Sequence, residues 1–522
     1  MIVTARVERS RTRGSLLALA CAAIAIATAT QTVAAHHDRY ARISAGEMNG
    51  NGAVAAFFRG ASVDGKRVFF ETTEKLVISD SDTRFDIYER NGGLTSRVST
   101  GLTGGNGDFN SVWMGNSADG TRVFFATVEQ LVAADTDIVA DIYQRSANAT
   151  TLISAGQING NGNANASFAG ASADGTRVFF VTDEQLVSGD TDHSSDLYQR
   201  WGGVTSRVSV GQINGNGANS ATFAGVSAGG GRTWFVTSES LVAADTDFFQ
   251  DIYERSNNQT YLVSRGAING NGSFGAEFAG ASSDGSRVYF RTFEKLAATD
   301  TDAERDVYQF SGGNVQQITV GAINGNGAFE ATFRGSSAGG GRVFFTTAEQ
   351  LVSGDTDAGI DLYQREAGVT TKLSPGNGGN TVVFRGASSD GLKVFFETNE
   401  GVLGSDTDAS TDVYQQASGV TTRISVGNGP NAASFGGASA DGSRVFYTTA
   451  EAISTDDDDT RIDIYESEGG VTRVVSIGDG AFDVTFRRCS IDGLAVIFDT
   501  LEPVLPTDKD AASDIYGAYA EP

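Results

Sequence analysis

Histidine, cysteine and proline are nearly absent from this 522-residue chain, which has three His (His36, His37, His193), two Cys (Cys21, Cys489) and five Pro. So few imidazoles and thiols exclude His-rich metal hydrolases, structural zinc sites and Cys/His nucleophile chemistry. Positive charge is scarce as well. Only 38 Lys and Arg face 64 Asp and Glu, a net of −26. That argues against nucleic acid as a partner, because phosphate binding needs clustered Lys and Arg. Hydrophobic residues still reach 40%, enough for a large core and too many for a disordered acidic chain. What the chain has in abundance is glycine, with 66 residues.

Residues 1–35 read as a secretory signal. Arg6, Arg9, Arg11 and Arg13 form its positive start, Leu16 to Ala29 is apolar, and Val33-Ala34-Ala35 supplies the small-residue cleavage site before His36. The apolar run is short for crossing ~30 Å of hydrocarbon. A cleaved leader is therefore expected, with no stable membrane span afterwards and a secreted or periplasmic location. Cys21 falls inside this leader, and apolar residues continue well past it, unlike a lipid-modified cysteine. Cys489 then stands alone and no intramolecular disulfide is possible. It lies in FRRCS where other units read FAGAS or FRGAS, so it takes the place of a small buried Ala and reads as packing.

Self-similarity dominates residues 36–522. The string DxDxxxDxY occurs nine times, at spacings of 55 and then 51 residues. Ahead of each copy lies a turn such as VDGKR, ADGTR or GGGRT, and in two copies Gly229 and Gly339 replace the turn Asp. Each unit holds four strand candidates. FxGAS comes first, then a DG or GG hairpin turn, then RVFF, then a longer acidic connection to [IVL]Y[QE]R, and finally TxR[VI]S. Consecutive apolar residues in VFF mark a strand covered on both faces. Nine of the 14 Tyr fall at one place in the third strand.

The two ends favour a ring. Tyr40-Ala41-Arg42-Ile43-Ser44 matches the fourth strand Thr95 to Ser99 at an offset of 55, and no blade precedes it. The last unit stops six residues after Tyr516 without a TxRVS strand. The expected fold is all-β, a single β-propeller of about nine four-stranded blades closed by the N-terminal strand, which hides two strand edges. The SADGTRVFF…DLYQR pattern resembles the TolB-like propeller repeat of secreted and periplasmic bacterial proteins. That resemblance implies the propeller and is nearly silent about biochemistry. TolB's separate N-terminal domain has no counterpart here, so its partners do not carry over.

Beyond residue 35 there are 34 basic and 63 acidic residues, a net of −29. Without the 27 motif carboxylates the net would be −2, so the acidity belongs to one repeated loop. In a four-stranded blade that loop and the NGNG connection to the next blade emerge on the same face. The carboxylates are Asp80, Asp82 and Asp86; Asp135, Asp137 and Asp141; Asp190, Asp192 and Asp196; Asp245, Asp247 and Asp251; Asp300, Asp302 and Asp306; Asp355, Asp357 and Asp361; Asp406, Asp408 and Asp412; Asp457, Asp459 and Asp463; and Asp508, Asp510 and Asp514. Three Asp at positions 1, 3 and 7 can converge on a hard cation, and calcium suits an irregular oxygen-lined loop better than magnesium. The spacing is not that of an EF-hand. The other reading is structural, with each Asp forming an Asx-turn onto backbone amides. Three close carboxylates in every copy repel without a counter-charge, which favours the cation.

Two readings of function remain. A non-enzymatic scaffold would bind a cell-envelope protein or a glycan. A propeller hydrolase or lyase acting on an extracellular polymer would need residues that break the repeat into one asymmetric site. His193, Trp113 and Trp234 depart from the repeat but form no acid–base pair or nucleophile constellation, and no P-loop occurs. NGNG reads as a turn supplying positive φ, and Arg59, Arg334 and Arg385 as paired or solvated side chains. The scaffold is the expected function, and the chain is not expected to be an enzyme.

Overall fold

Neighbouring residues on a strand point to opposite faces of a sheet, so a strand with two adjacent apolar side chains needs two covers. Phe69 and Phe70 are both fully buried. Phe70 clusters with Tyr88 and with Ile497 and Ile515 of the last repeat. Phe69 clusters with Val123 and Phe125 of the next repeat. Each sheet is thus lodged between two others.

The computed structural model describes residues 36–48, 50–476 and 480–521. The leader assigned to residues 1–35 lies outside them. The described residues form nine four-stranded antiparallel sheets and no helix, arranged as a β-propeller. None of them forms a helix long and apolar enough to cross a membrane. The first blade comprises Phe57–Ala61, Arg67–Thr72, Asp86–Asn91 and Leu94–Arg97, in that order from the inside. The inner strands of successive blades approach one another, and in each blade the inner strand carries a bulge, as between Phe58 and Gly60.

Aromatic stacking knits the layers. In all nine blades the third-strand Tyr stacks on an aromatic ring of the second strand, as Tyr88 on Phe70 and Tyr516 on Phe498. Between blades, second-strand rings stack on the next inner strand, as Phe124 on Phe168 and Trp234 on Phe278. Such pairs contribute ~0.5–1.5 kcal/mol each beyond area burial.

A circle of backbone hydrogen bonds joins the hairpin turns. The Val63 N–H donates to the Ala118 carbonyl at 2.7 Å, Ala118 to Ala173 at 2.7 Å, and so on through nine steps until Ile491 donates back to Val63 at 2.7 Å. Gly120 shows why the turn needs glycine. Its φ is +68°, and a Cβ there would lie 2.9 Å from Arg67 Cδ of the preceding blade. The turn Asp supports this geometry by accepting from Ser62 Oγ and the Lys66 amide, a local bond that Gly229 and Gly339 forgo.

The ring closes as the chain ends suggested. His37–Arg42 pairs antiparallel with Asp514–Ala520, placing Arg42 opposite Tyr516. The Ile43 amide donates to the Ile515 carbonyl at 2.7 Å. Pairing begins at His37, earlier than the TxRVS match indicated, because the last third strand runs on to Ala520. Tyr40 and His37 also reach blade eight, the first through its hydroxyl to the Val475 carbonyl (2.8 Å), the second through Nδ1 to Glu466 (3.2 Å).

Two outcomes follow from this packing. Deleting residues 36–45 removes the ninth blade's outer strand and bares the edge of Asp514–Ala520. The shortened chain should melt several degrees lower and self-associate, as differential scanning calorimetry and light scattering would register; a parent-like melt would refute the closure. Cys489 sits half-buried on an inner strand with Sγ 3.5 Å from the Ala438 carbonyl, and burial raises its thiol to about 11. Iodoacetamide at pH 7.5 should therefore label it slowly in native protein and quickly in urea.

Candidate cation site

The acidic connection leaves the second strand and returns to the third, and each of its three carboxylates is braced by a hydrogen bond that recurs from blade to blade. The first Asp accepts from the tyrosine eight residues on, as Asp80 from Tyr88 at 2.5 Å, and the same bond recurs in all nine blades. The second Asp accepts from the amide two residues on, as Asp82 Oδ1 from Arg84 at 2.7 Å, an Asx-turn repeated throughout. The third accepts from a Ser or Thr hydroxyl, as Asp86 Oδ1 from Ser99 at 2.5 Å. That hydroxyl in turn accepts from the Ile87 amide at 2.9 Å. The structural reading thus accounts for one oxygen of every carboxylate, and in five loops for the second oxygen of the first Asp as well, as Asp135 Oδ1 accepts from the Asp137 amide at 3.3 Å.

The NGNG connection is part of the same construction. Its second Asn caps the acidic loop: Asn161 Oδ1 accepts from the Thr136 amide at 2.6 Å, and in the variant Gly104-Gly105-Asn106-Gly107 the Asn106 Oδ1 accepts from the Ser81 amide at 2.9 Å. Its glycines supply the expected positive φ, 143° at Gly160 and 146° at Gly215. The inner-strand arginines are paired, Arg59 with Glu71 and Arg385 with Glu397, while Arg334 donates to Thr346. His193 is exposed at the loop surface.

The remaining oxygens converge. In each of the first five blades one ligand atom from every Asp of the triad lies within 4.8 Å of the others. The residue that meets this convergence is the last of the outer strand, directly opposite the Tyr in the ladder. In five blades it is a cation. Arg207 Nη1 lies 3.5, 4.0 and 3.1 Å from Asp190, Asp192 and Asp196. Arg42 approaches Asp508, Asp510 and Asp514 at 3.6, 3.2 and 2.5 Å. Lys372 lies 3.3, 3.8 and 2.9 Å from Asp355, Asp357 and Asp361. Arg97 faces Asp80 and Asp86, and Arg423 faces Asp406 and Asp412. In these loops the space expected for a metal holds a tethered guanidinium or ammonium.

The other four blades differ. In blade five Gln317 stands there and donates to Asp306 Oδ2 at 2.9 Å. Leu152, Leu262 and Val474 stand there in blades two, four and eight. Among the described residues no ion pair reaches the carboxylates of blades two and four. Asp141 and Asp251 are about 95% buried, and the Oδ2 of each has no hydrogen-bond partner. Burial raises Asp141 to about 7 and Asp251 to about 8; their serine hydrogen bonds oppose this and the neighbouring Asp charges add to it.

The sequence reading treated the nine loops as alike and missed the outer-strand residue. A signal was present: a cation stands seventeen residues after the first Asp in four copies, and Arg42 takes the equivalent place in the closing strand.

No family model matches the chain, and no curated protein matches it in sequence. Solved structures with a similar trace include a prolyl endopeptidase, at 13% identity over 75% of this chain with a TM-score of 0.38. They also include the β-propeller domain of the Trilobed protease from Pyrococcus furiosus, at 13% identity over 72% of this chain and all of that one, with a TM-score of 0.33. The chain spans about half (54%) of that endopeptidase's length.

Removing a buried counter-charge leaves its partners uncompensated. Arg207→Leu, in the presence of chelator, should cost about 3–5 kcal/mol in urea denaturation. A loss below 1 kcal/mol would mean that the guanidinium does not neutralise the triad.

Proposed function

We propose that the chain is a secreted, non-enzymatic β-propeller scaffold of the TolB-like repeat type that binds a protein of the cell envelope. The observation that carries this reading is a set of aliphatic side chains on the loop-bearing face. Ile158, Ile213, Ile268 and Ile323 occupy one repeat position, and each is 57–58% exposed; Met48 occupies the same position in the first connection. Their backbones are pinned: the Ile158 and Ile213 amides donate to the Leu186 and Leu241 carbonyls of the next blade, each at 3.3 Å. A large apolar side chain held rigidly in water is a feature of interaction surfaces. Beside Ile213 a groove of about 600 Å³ is lined by Val242, Tyr261, Leu262 and Phe310.

Aliphatic rather than aromatic contacts suit a protein partner better than a glycan. The absence of enzymatic activity is inferred from repetition. The bracing bonds among the buried Asp, Tyr and Ser or Thr groups recur in every blade, so none stands apart as a single asymmetric site. A hydrolase or lyase acting on an extracellular polymer is the alternative.

Replacing the four isoleucines by Ser should leave the melting temperature within a few degrees of the parent. It should weaken capture of the partner from an envelope extract by roughly two to three orders of magnitude, at about 1 kcal/mol per side chain. Unchanged capture would overturn the assignment of this face. Binding on a glycan array that the substitutions abolish would identify a glycan in place of a protein.

A further inference from the structure

We infer that the acidic loops of blades two and four each bind a calcium ion, and that those of blades one, three, six, seven and nine do not, because a tethered Arg or Lys already occupies the same point. This inference is independent of the partner proposed above. Its first support is the chain's own internal comparison. Nine loops share one backbone plan and one set of bracing bonds, and in five of them a cationic nitrogen sits between the carboxylates. The loop therefore attracts positive charge at that point. Where the outer strand ends in Leu152 or Leu262, the carboxylates are in place and no described residue supplies the cation.

The second support is the state of the oxygens. The counterparts of Asp141 Oδ2 and Asp251 Oδ2 in the sibling loops are the atoms that face the guanidinium, as Asp196 Oδ2 faces Arg207 at 3.1 Å. In blades two and four these atoms are buried with no partner, and so is Asp137 Oδ2. A buried, unpaired carboxylate oxygen is costly. Glu184 and Glu294 of the following blades add further negative potential at Asp141 and Asp251. No described basic group answers them.

The donor set and its irregular geometry select the ion. Ca²⁺–O distances of about 2.3–2.6 Å let two ligands on one ion lie up to roughly 5 Å apart. The oxygens of Asp135, Asp137 and Asp141, and of Asp245, Asp247 and Asp251, fall within 4.8 Å of one another. Mg²⁺, at about 2.0–2.1 Å, demands near-octahedral geometry, which carboxylates held by separate bracing bonds meet less readily than the loose geometry of Ca²⁺. All the donors are hard oxygens, which disfavours zinc. Blade five is set apart by the Gln317 amide, which occupies Asp306 Oδ2. In blade eight, where Val474 stands, Asp463 has a further partner.

The test exchanges the two kinds of blade. The full chain is stripped with chelator and titrated calorimetrically with Ca²⁺, and in parallel with Mg²⁺. The double variant Leu152→Arg/Leu262→Arg, which copies what five blades already carry, should bind two fewer Ca²⁺ than the parent and show a smaller rise in melting temperature on adding Ca²⁺. Arg207→Leu should do the reverse, gaining one Ca²⁺ and recovering with the ion the stability it loses in chelator. If that variant does not fold, the double variant decides alone. Equal Ca²⁺ stoichiometry in parent and double variant would overturn the inference. So would no uptake by the parent at millimolar Ca²⁺, or equal affinity for Mg²⁺ at these two sites.

Discussion

Everything in this fold depends on two adjacent rings that must both leave water. Phe69 and Phe70 point to opposite faces of one sheet and both are fully buried, so no blade can satisfy its own second strand. The covers come from neighbours, and a neighbour needs a neighbour in turn. An open row would leave its two end sheets bare, and the chain avoids this by curving until the ninth blade meets the first. The glycine turns, the inner-strand bulges and the circle of backbone bonds through Val63 and Ile491 are local adjustments that permit that curvature.

The same packing explains how much of the fold was legible in the sequence. VFF announced a doubly covered strand, the DG turns marked hairpins, and the spare Arg42-Ile43 segment pointed to closure. These signals are short-range and repeat nine times, so chance departures in one copy do not obscure them. The loop chemistry was only half legible. Asp82 and its equivalents do form Asx-turns, whereas Asp80 accepts from the Tyr88 hydroxyl, a bond the Asx-turn reading did not include. The partner that decides the charge, however, comes from another strand. Arg97 faces Asp80 and Asp86 only because it lies opposite Tyr88 in the ladder, and that register cannot be read from spacing along the loop. The capping role of Asn106 was missed for the same reason: it belongs to the connection between blades and acts on a loop twenty-five residues before it.

A repeated acidic loop with a variable outer-strand residue divides a symmetric body into unlike sectors. The carboxylates, tyrosines and hydroxyls are kept in every copy, while the position facing them ranges over Arg, Lys, Gln, Leu and Val. The scaffold tolerates this because the bracing bonds hold each carboxylate whatever fills the centre. Electrostatic character can therefore vary from blade to blade while the backbone stays the same.

The closing strand also places the fold in time. A chain made from its N-terminus produces His37–Arg42 more than four hundred residues before this segment's ladder partner, Asp514–Ala520. Until then the growing assembly has an unfilled edge at each end, and the contacts that seal it join residues more than four hundred positions apart, as His37 with Glu466. Pairings of such separation are slow to find, and the intermediates that await them are prone to associate. The opening strand therefore lacks its ladder partner until the last repeat has been made. A product truncated before its last repeat would have no ladder for that strand to join, so the architecture marks incomplete chains by the edge they leave open.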